Sequence, residues 1–150
     1  MLIDPGAPDT ASLPTFEFSF PGPLRETLIA AVLDGSKSST TGLLAGYENE
    51  NLPLAAVGDR SVVIDSEGRP VALIEVTSVR VVPLADVDLA HVIDESEGHA
   101  TVAEWRTTHE EDWHSEEQRA EFGDPAFTVD DTTPLVLQRF RLVADLRPAR

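Results

Sequence analysis

No cysteine occurs among the 150 residues, so disulfides, thiolate metal sites and cysteine nucleophiles are excluded together. Stability has to come from packing. Basic side chains are scarce: 11 Lys and Arg stand against 27 Asp and Glu, a net charge of −16. Phosphate backbones are normally held by Lys and Arg, so general coating of nucleic acid is disfavoured. Long apolar runs are missing as well, and no segment reaches the ~18 residues that a membrane span needs. The opening Met-Leu-Ile-Asp-Pro-Gly lacks a basic stretch leading into an apolar one. The expectation is a cytoplasmic location and no membrane partner. Lysine is the scarcest charged residue, since ten of the basic side chains are Arg and only Lys37 is Lys. Arg holds its proton, whereas a desolvated Lys can lose one, so the lone Lys suits chemistry that needs a compact or titratable amine. A general preference for Arg codons would give the same count, and the count alone does not decide.

What is present describes one folding unit. Hydrophobic residues make up 41% and charged residues 25%, a globular composition at a length that suits a single domain. Residues 1–22 contain Pro5, Pro8, Pro14 and Pro21, which forbids a helix and predicts an extended arm. Phe16, Phe18 and Phe20 alternate along it, so three rings would share one side and anchor it. From Pro23, Leu24, Leu28, Ala31 and Val32 repeat at helical spacing up to a stop at Gly35, which predicts a helix over 23–34. Gly35-Ser-Lys-Ser-Ser-Thr-Thr-Gly42 is too rich in small hydroxyl residues for a helix and reads as a loop or short strand. Residues 61–65 and 70–82 are Val- and Ile-rich strands joined by a turn at 66–69. Both faces of the second run are apolar, which predicts a strand buried on two sides in a small closed barrel. A short helix is expected over 84–94 and a long amphipathic one over 101–121, with Val102, Trp105, His109 and Trp113 on one face as core. Residues 135–143 would close the sheet. The domain then spans 23–145, followed by a tail at 146–150.

Two familiar motifs fail on spacing. A P-loop needs its Gly and Lys adjacent, unlike Gly35-Ser36-Lys37, and a zincin needs two His four apart, whereas His109 and His114 are five apart. Gly35-x-Lys37-x-x-Thr40 instead resembles the GxKxxT signature of the ASCH family. Further landmarks follow in order: Val57-Gly58-Asp59, the hairpin, Val87-Asp88-Leu89-Ala90-His91, Glu95-Ser96-Glu97-Gly98, and Trp105-Arg106-x-x-His109-x-x-x-Trp113. Many relatives have Gly where Ser96 stands, and Ser constrains the backbone of that acidic turn more than Gly does.

The resemblance implies an α+β, PUA-like fold, a small mixed β-barrel flanked by helices. It also implies a cleft where the signature Lys and Thr face an acid. Members bind RNA, some cut single-stranded RNA, and a smaller branch hydrolyses the amide of N4-acetylcytidine. By matched motif, Lys37, Thr40 and Glu95 correspond to that branch's active residues. Gly35, Ser38, Ser39, Thr41, Glu97 and Arg80 complete the expected ligand-contacting set, with Glu97 a rival to Glu95 for the acidic role. The partners implied are single-stranded RNA or a small nucleoside or nucleotide, with a homodimer as the expected assembly. No cofactor is implied, although a divalent ion could bridge acids to phosphate.

The chemistry of such a trio can be derived separately. A desolvated Lys can deprotonate a Thr hydroxyl, which is otherwise a poor nucleophile, while a carboxyl group shuttles a proton to the leaving atom. Alternatively, a charged Lys holds a phosphate or polarises a carbonyl while the Thr donates a hydrogen bond. Both readings are open at the level of sequence.

Overall fold

A computed structural model describes residues 12–148 of the chain. Thr15–Phe16 (β1) is followed by Pro23–Asp34 (α1), Ser39–Leu43 (β2) and Leu44–Asn49 (α2). Arg60–Ile64 (β3) and Pro70–Pro83 (β4) form the hairpin, and Leu89–Asp94 (α3), Val102–Trp113 (α4) and Glu116–Phe122 (α5) precede the last strand, Pro134–Asp145 (β5). The five strands run in the order β1-β3-β4-β5-β2, with β1 parallel to β3 and the other neighbours antiparallel.

The expected closed barrel is not formed. β1 and β2 are the two edges of an open mixed sheet, and closing it would need an edge long enough to carry a ladder. β1 is two residues long. β4 is buried on both faces only as far as Val76; beyond the irregularity at Val76/Ser78 its residues are half-buried or exposed. Instead of a sealed interior, the inner face of the sheet carries a groove that residues from all five strands line.

Helices pack on the sheet around two apolar cores. Phe18, Leu28, Ile29 and Val32 meet Val63, Ile74 and Phe140 on one side. Trp105, Trp113, Leu84 and Val92 meet Leu43, Leu135 and Leu137 on the other. Trp105 and Trp113 are therefore core, as their spacing predicts. Of the three alternating rings, Phe16 and Phe18 anchor the chain, with centroids 4.8 Å apart, while Phe20 faces solvent. The part of the predicted arm before residue 12 lies outside the described residues.

The helix expected over 101–121 is two helices. His114 ends α4, and the Ser115 hydroxyl accepts from the Gln118 amide to cap α5, so a Ser-x-x-Gln cap restarts the chain in a new direction. The helix expected over 84–94 is likewise a single 3₁₀ turn at Leu84–Asp86 and then α3. α2 was not foreseen, because its Leu-Ala-Gly-Tyr-Glu-Asn sequence is short and contains a glycine.

One buried cation ties α1 to the sheet. Arg25 is 3% exposed; it donates to the carbonyls of Phe18 at 3.1 Å, Ser19 at 2.7 Å and Asp65 at 3.4 Å, and pairs with Glu17. Arg25→Ala should leave those carbonyls without a donor and cost about 3 kcal/mol. A urea titration should show a lower midpoint with an unchanged slope; an unchanged midpoint would refute the clamp.

Candidate active site

Lys37 sits where two helices end. Gly35 terminates α1 in the left-handed region at φ 87, a conformation glycine adopts without steric cost, and its amide returns to Val32. The chain then passes beside α3, with the Lys37 amide on Ala31 O and the Ser38 amide on Asp94 O at 2.7 Å. This route turns the Lys37 side chain inward, where it is 3% exposed. Its ammonium donates to Ser39 O at 2.9 Å and to Glu95 O at 3.0 Å, and lies 5.6 Å from the Phe18 ring centroid. The second of these contacts caps the C-terminus of α3, where exposed carbonyls favour a cation. Burial pulls the amine below the ordinary lysine range, while the charges of Glu95 and Glu97 oppose that shift.

Glu95 stands at the end of α3 and is 1% exposed. Burial disfavours its charge, yet donors surround it. Trp105 Nε1 reaches Oε1 at 3.1 Å, His91 Nε2 reaches Oε2 at 2.9 Å, and the Thr41 hydroxyl also donates to Oε2. His109 Nε2 lies 3.5 Å from Oε1. Together with Lys37, these groups hold Glu95 well below the usual carboxylate range. Glu97, two residues on and 3.9 Å from the Lys37 ammonium, behaves oppositely: burial and the neighbouring Glu95 carboxylate push its carboxyl up to about 8. The pair thus favours one shared proton over two charges, and Glu97, the more exposed of the two, is the carboxyl whose protonated form is favoured.

His109 stacks on Trp105 with centroids 4.2 Å apart and directs Nδ1 at the Trp105 carbonyl at 3.0 Å. Burial disfavours its charge, but the hydrogen bond to Glu95 and the charges of Glu95 and Glu97 raise its pKa above the ordinary value. Ser96 completes the turn in the left-handed region at φ 56, the conformation that glycine would take more freely, and its hydroxyl reaches the Ser36 hydroxyl at 3.2 Å. The acidic turn is therefore built without the glycine.

The alternation of β2 sorts the signature's hydroxyls. Ser39 and Thr41 face α3, with the Ser39 hydroxyl on His91 O at 2.8 Å and the Thr41 hydroxyl 2.7 Å from His91 Nε2. Thr40 faces the other way and lines the inner groove beside its cross-strand partner Gln138. Lys37, Thr41, Glu95 and Glu97 are thus brought together and Thr40 is not. Gly35 and Ser38 shape the approach through their backbones. Arg80 lies apart on the outer half of β4, paired with Asp88 at 2.9 Å. His91, Trp105 and His109 join the cluster unannounced; the four-residue spacing of His91 and Glu95 on one helix, and of Trp105 and His109 on another, was the available signal.

Glu95, Glu97 and His109 offer ligand atoms within 4.8 Å of one another. A divalent ion there would displace the shared proton and face the Lys37 ammonium, so this donor set suits a proton better than a cation.

The protein is an open α+β sheet flanked by helices, with a buried amine and two carboxyls brought together beside a Gly-x-Lys turn, an architecture that matches ASCH domain structures. The chain belongs to the ASCH domain family, whose profile matches residues 17–144. Its fold is similar to the crystal structure of an ASCH domain from Lactobacillus crispatus JV V101, at 24% identity and a TM-score of 0.76, covering 88% of this chain and 80% of that one. It is also similar to a protein from Enterococcus faecalis V583, at 23% identity and a TM-score of 0.75, covering 87% and 76%. Among curated proteins none matches the chain.

The shared proton has a thermodynamic signature. Below pH 4.5 Glu97 is protonated whether the chain is folded or not; between pH 4.5 and about 8 the unfolded chain releases that proton and the folded one keeps it. Stability should therefore fall with rising pH across that window. Glu97→Gln should flatten the decline, read as the urea midpoint from pH 5 to pH 8.5, and an equal slope in both proteins would refute the assignment.

Proposed function

We propose that this ASCH domain is a hydrolase for a small, uncharged, nucleoside-class amide. The observation that supports the reading is the buried Lys37 amine 3.9 Å from Glu97, the more exposed member of a carboxyl pair, whose carboxyl is pushed up to about 8. In this reading water adds to the amide carbonyl carbon as the C–N bond breaks; Glu97 gives its proton to the leaving nitrogen and regains one from the attacking water, so that acetate and the free amine are released. Glu95, held below the usual carboxylate range by its donors, faces His109 at 3.5 Å and accepts from the Thr41 hydroxyl. In this reading Thr41 is the hydroxyl at the carboxyl pair, in place of the Thr40 that the motif match gives.

The surface supports a small neutral substrate over a polyanion. Eight of the nine described arginines, Arg25, Arg60, Arg69, Arg80, Arg106, Arg139, Arg141 and Arg147, have a carboxylate within 4 Å. The ninth, Arg119, donates to the Phe127 carbonyl. Cations already neutralised in place contribute little to gripping a phosphate chain.

Incubation with N4-acetylcytidine should release acetate. Glu97→Gln should slow turnover by about a hundredfold, Lys37→Met should abolish it, and Thr40→Val should leave it nearly unchanged. No turnover by the folded wild-type protein would overturn the reading. Tight binding of short single-stranded RNA at low salt, lost in Lys37→Ala, would replace it with the family's RNA-binding role.

A further inference from the structure

His91 is a fully enclosed titratable side chain to which the hydrolytic scheme gives no part. It is 0% exposed, and its carbonyl accepts from the Ser39 hydroxyl at 2.8 Å and from the Glu95 amide at 3.1 Å. These bonds tie α3 to β2 at the base of the ring. One helical turn separates His91 from Glu95, so both side chains leave the same face of α3.

The ring meets two partners on one nitrogen and none on the other. Nε2 lies 2.7 Å from the Thr41 hydroxyl oxygen and 2.9 Å from Glu95 Oε2, whereas Nδ1 is buried with no hydrogen-bond partner among the described residues. Which nitrogen of an imidazole carries the proton is set by such neighbours. A carboxylate oxygen offers only lone pairs, so the hydrogen between Glu95 and the ring has to come from Nε2. With the proton on Nδ1 instead, a buried N–H would have no acceptor and two lone pairs would face each other at Glu95. Packing therefore selects the Nε2–H tautomer. The same hydrogens orient Thr41: its own goes to Glu95 Oε2, and its oxygen shares the Nε2 hydrogen with that carboxylate. One lone pair of the hydroxyl is left, and its direction is fixed.

We propose that His91 is a positioning residue of the hydrolytic cluster: held as the Nε2–H tautomer, it fixes the Thr41 hydroxyl so that the remaining lone pair receives a hydrogen bond from the water that attacks the amide. The proposal rests on the hydrolytic reading for that water, and the tautomer stands apart from it. His91 touches no substrate in this scheme. It acts through Thr41, so the two side chains should be energetically coupled.

Two measurements test it. Nuclear magnetic resonance of isotope-labelled wild-type protein should show the His91 proton on Nε2 and an unprotonated Nδ1, the signals being identified by their loss in His91→Gln. Kinetics with N4-acetylcytidine should show kcat about tenfold to a hundredfold lower in His91→Leu, with KM within about twofold. His91→Gln, whose amide places an N–H where Nε2 lies, should recover most of that loss, which a packing role would not require. Thr41→Val should lose a similar factor, and His91→Leu combined with Thr41→Val should lose no more than about threefold beyond either alone. Additive losses, equal damage by glutamine and leucine, or undiminished kcat in His91→Leu would each overturn the proposal. A proton on Nδ1 in a protein that turns over substrate would overturn it and leave the hydrolase standing. The Nε2–H tautomer in a folded protein without turnover would refute the hydrolase, and with it the role given to His91, so the two failures are told apart.

Discussion

Taking the Lys37 ammonium out of water is the constraint around which this molecule is organised. A buried charge is tolerated only where hydrogen bonds and opposite charge replace its hydration. Here two backbone carbonyls, from the start of β2 and the end of α3, supply the first requirement. Glu95 and Glu97 supply the second. Meeting both forces α1, β2 and α3 to converge on one point, and the convergence brings in Trp105 and His109 from α4 to satisfy Glu95 in turn. A network begun by one amine thus fixes the packing of four elements.

The same network separates the chemistry of two otherwise identical side chains. Glu95 and Glu97 are two residues apart, and both pay for burial. Glu95 faces four donors and is held low; Glu97 faces burial and the Glu95 charge, which Lys37 at 3.9 Å and His109 only partly offset, and its carboxyl is pushed up. A pair divided in this way can give up a proton at neutral pH without either group leaving the protein interior. The protein's large negative charge leaves the arrangement undisturbed, because the arginines are consumed in surface pairs of their own, worth little individually for stability.

Failure to close the sheet creates the second feature of interest. A longer β1 could pair with β2 and seal the interior with side chains. With two residues in that strand, the inner face stays open, and Thr40, Tyr47 and Gln138 bring polar atoms to an otherwise apolar concavity. Thr40 and Thr41 belong to different regions solely because a strand turns successive residues to opposite faces.

Much of this was legible in the residues themselves. The span of α1 follows from Pro23, the apolar repeat and Gly35, and the hairpin follows from two Val-rich runs around Ser-Glu-Gly-Arg, since these signals are local. So were the family and the meeting of Lys37 with the acidic turn. The two-residue β1, the break before Ser115 and the open edge were not, because they depend on which partner each segment finds in space. The choice between Thr40 and Thr41, and between Glu95 and Glu97, escaped for the same reason: neighbours in sequence share composition, and only the facing of a strand and the donors around a carboxylate tell them apart. Sequence alone determined that a single amine would meet an acidic turn within an ASCH domain; the tertiary structure decided which hydroxyl joins that turn and which carboxylate lies beside the amine, because those identities are set by burial and orientation, which exist only once the chain has folded.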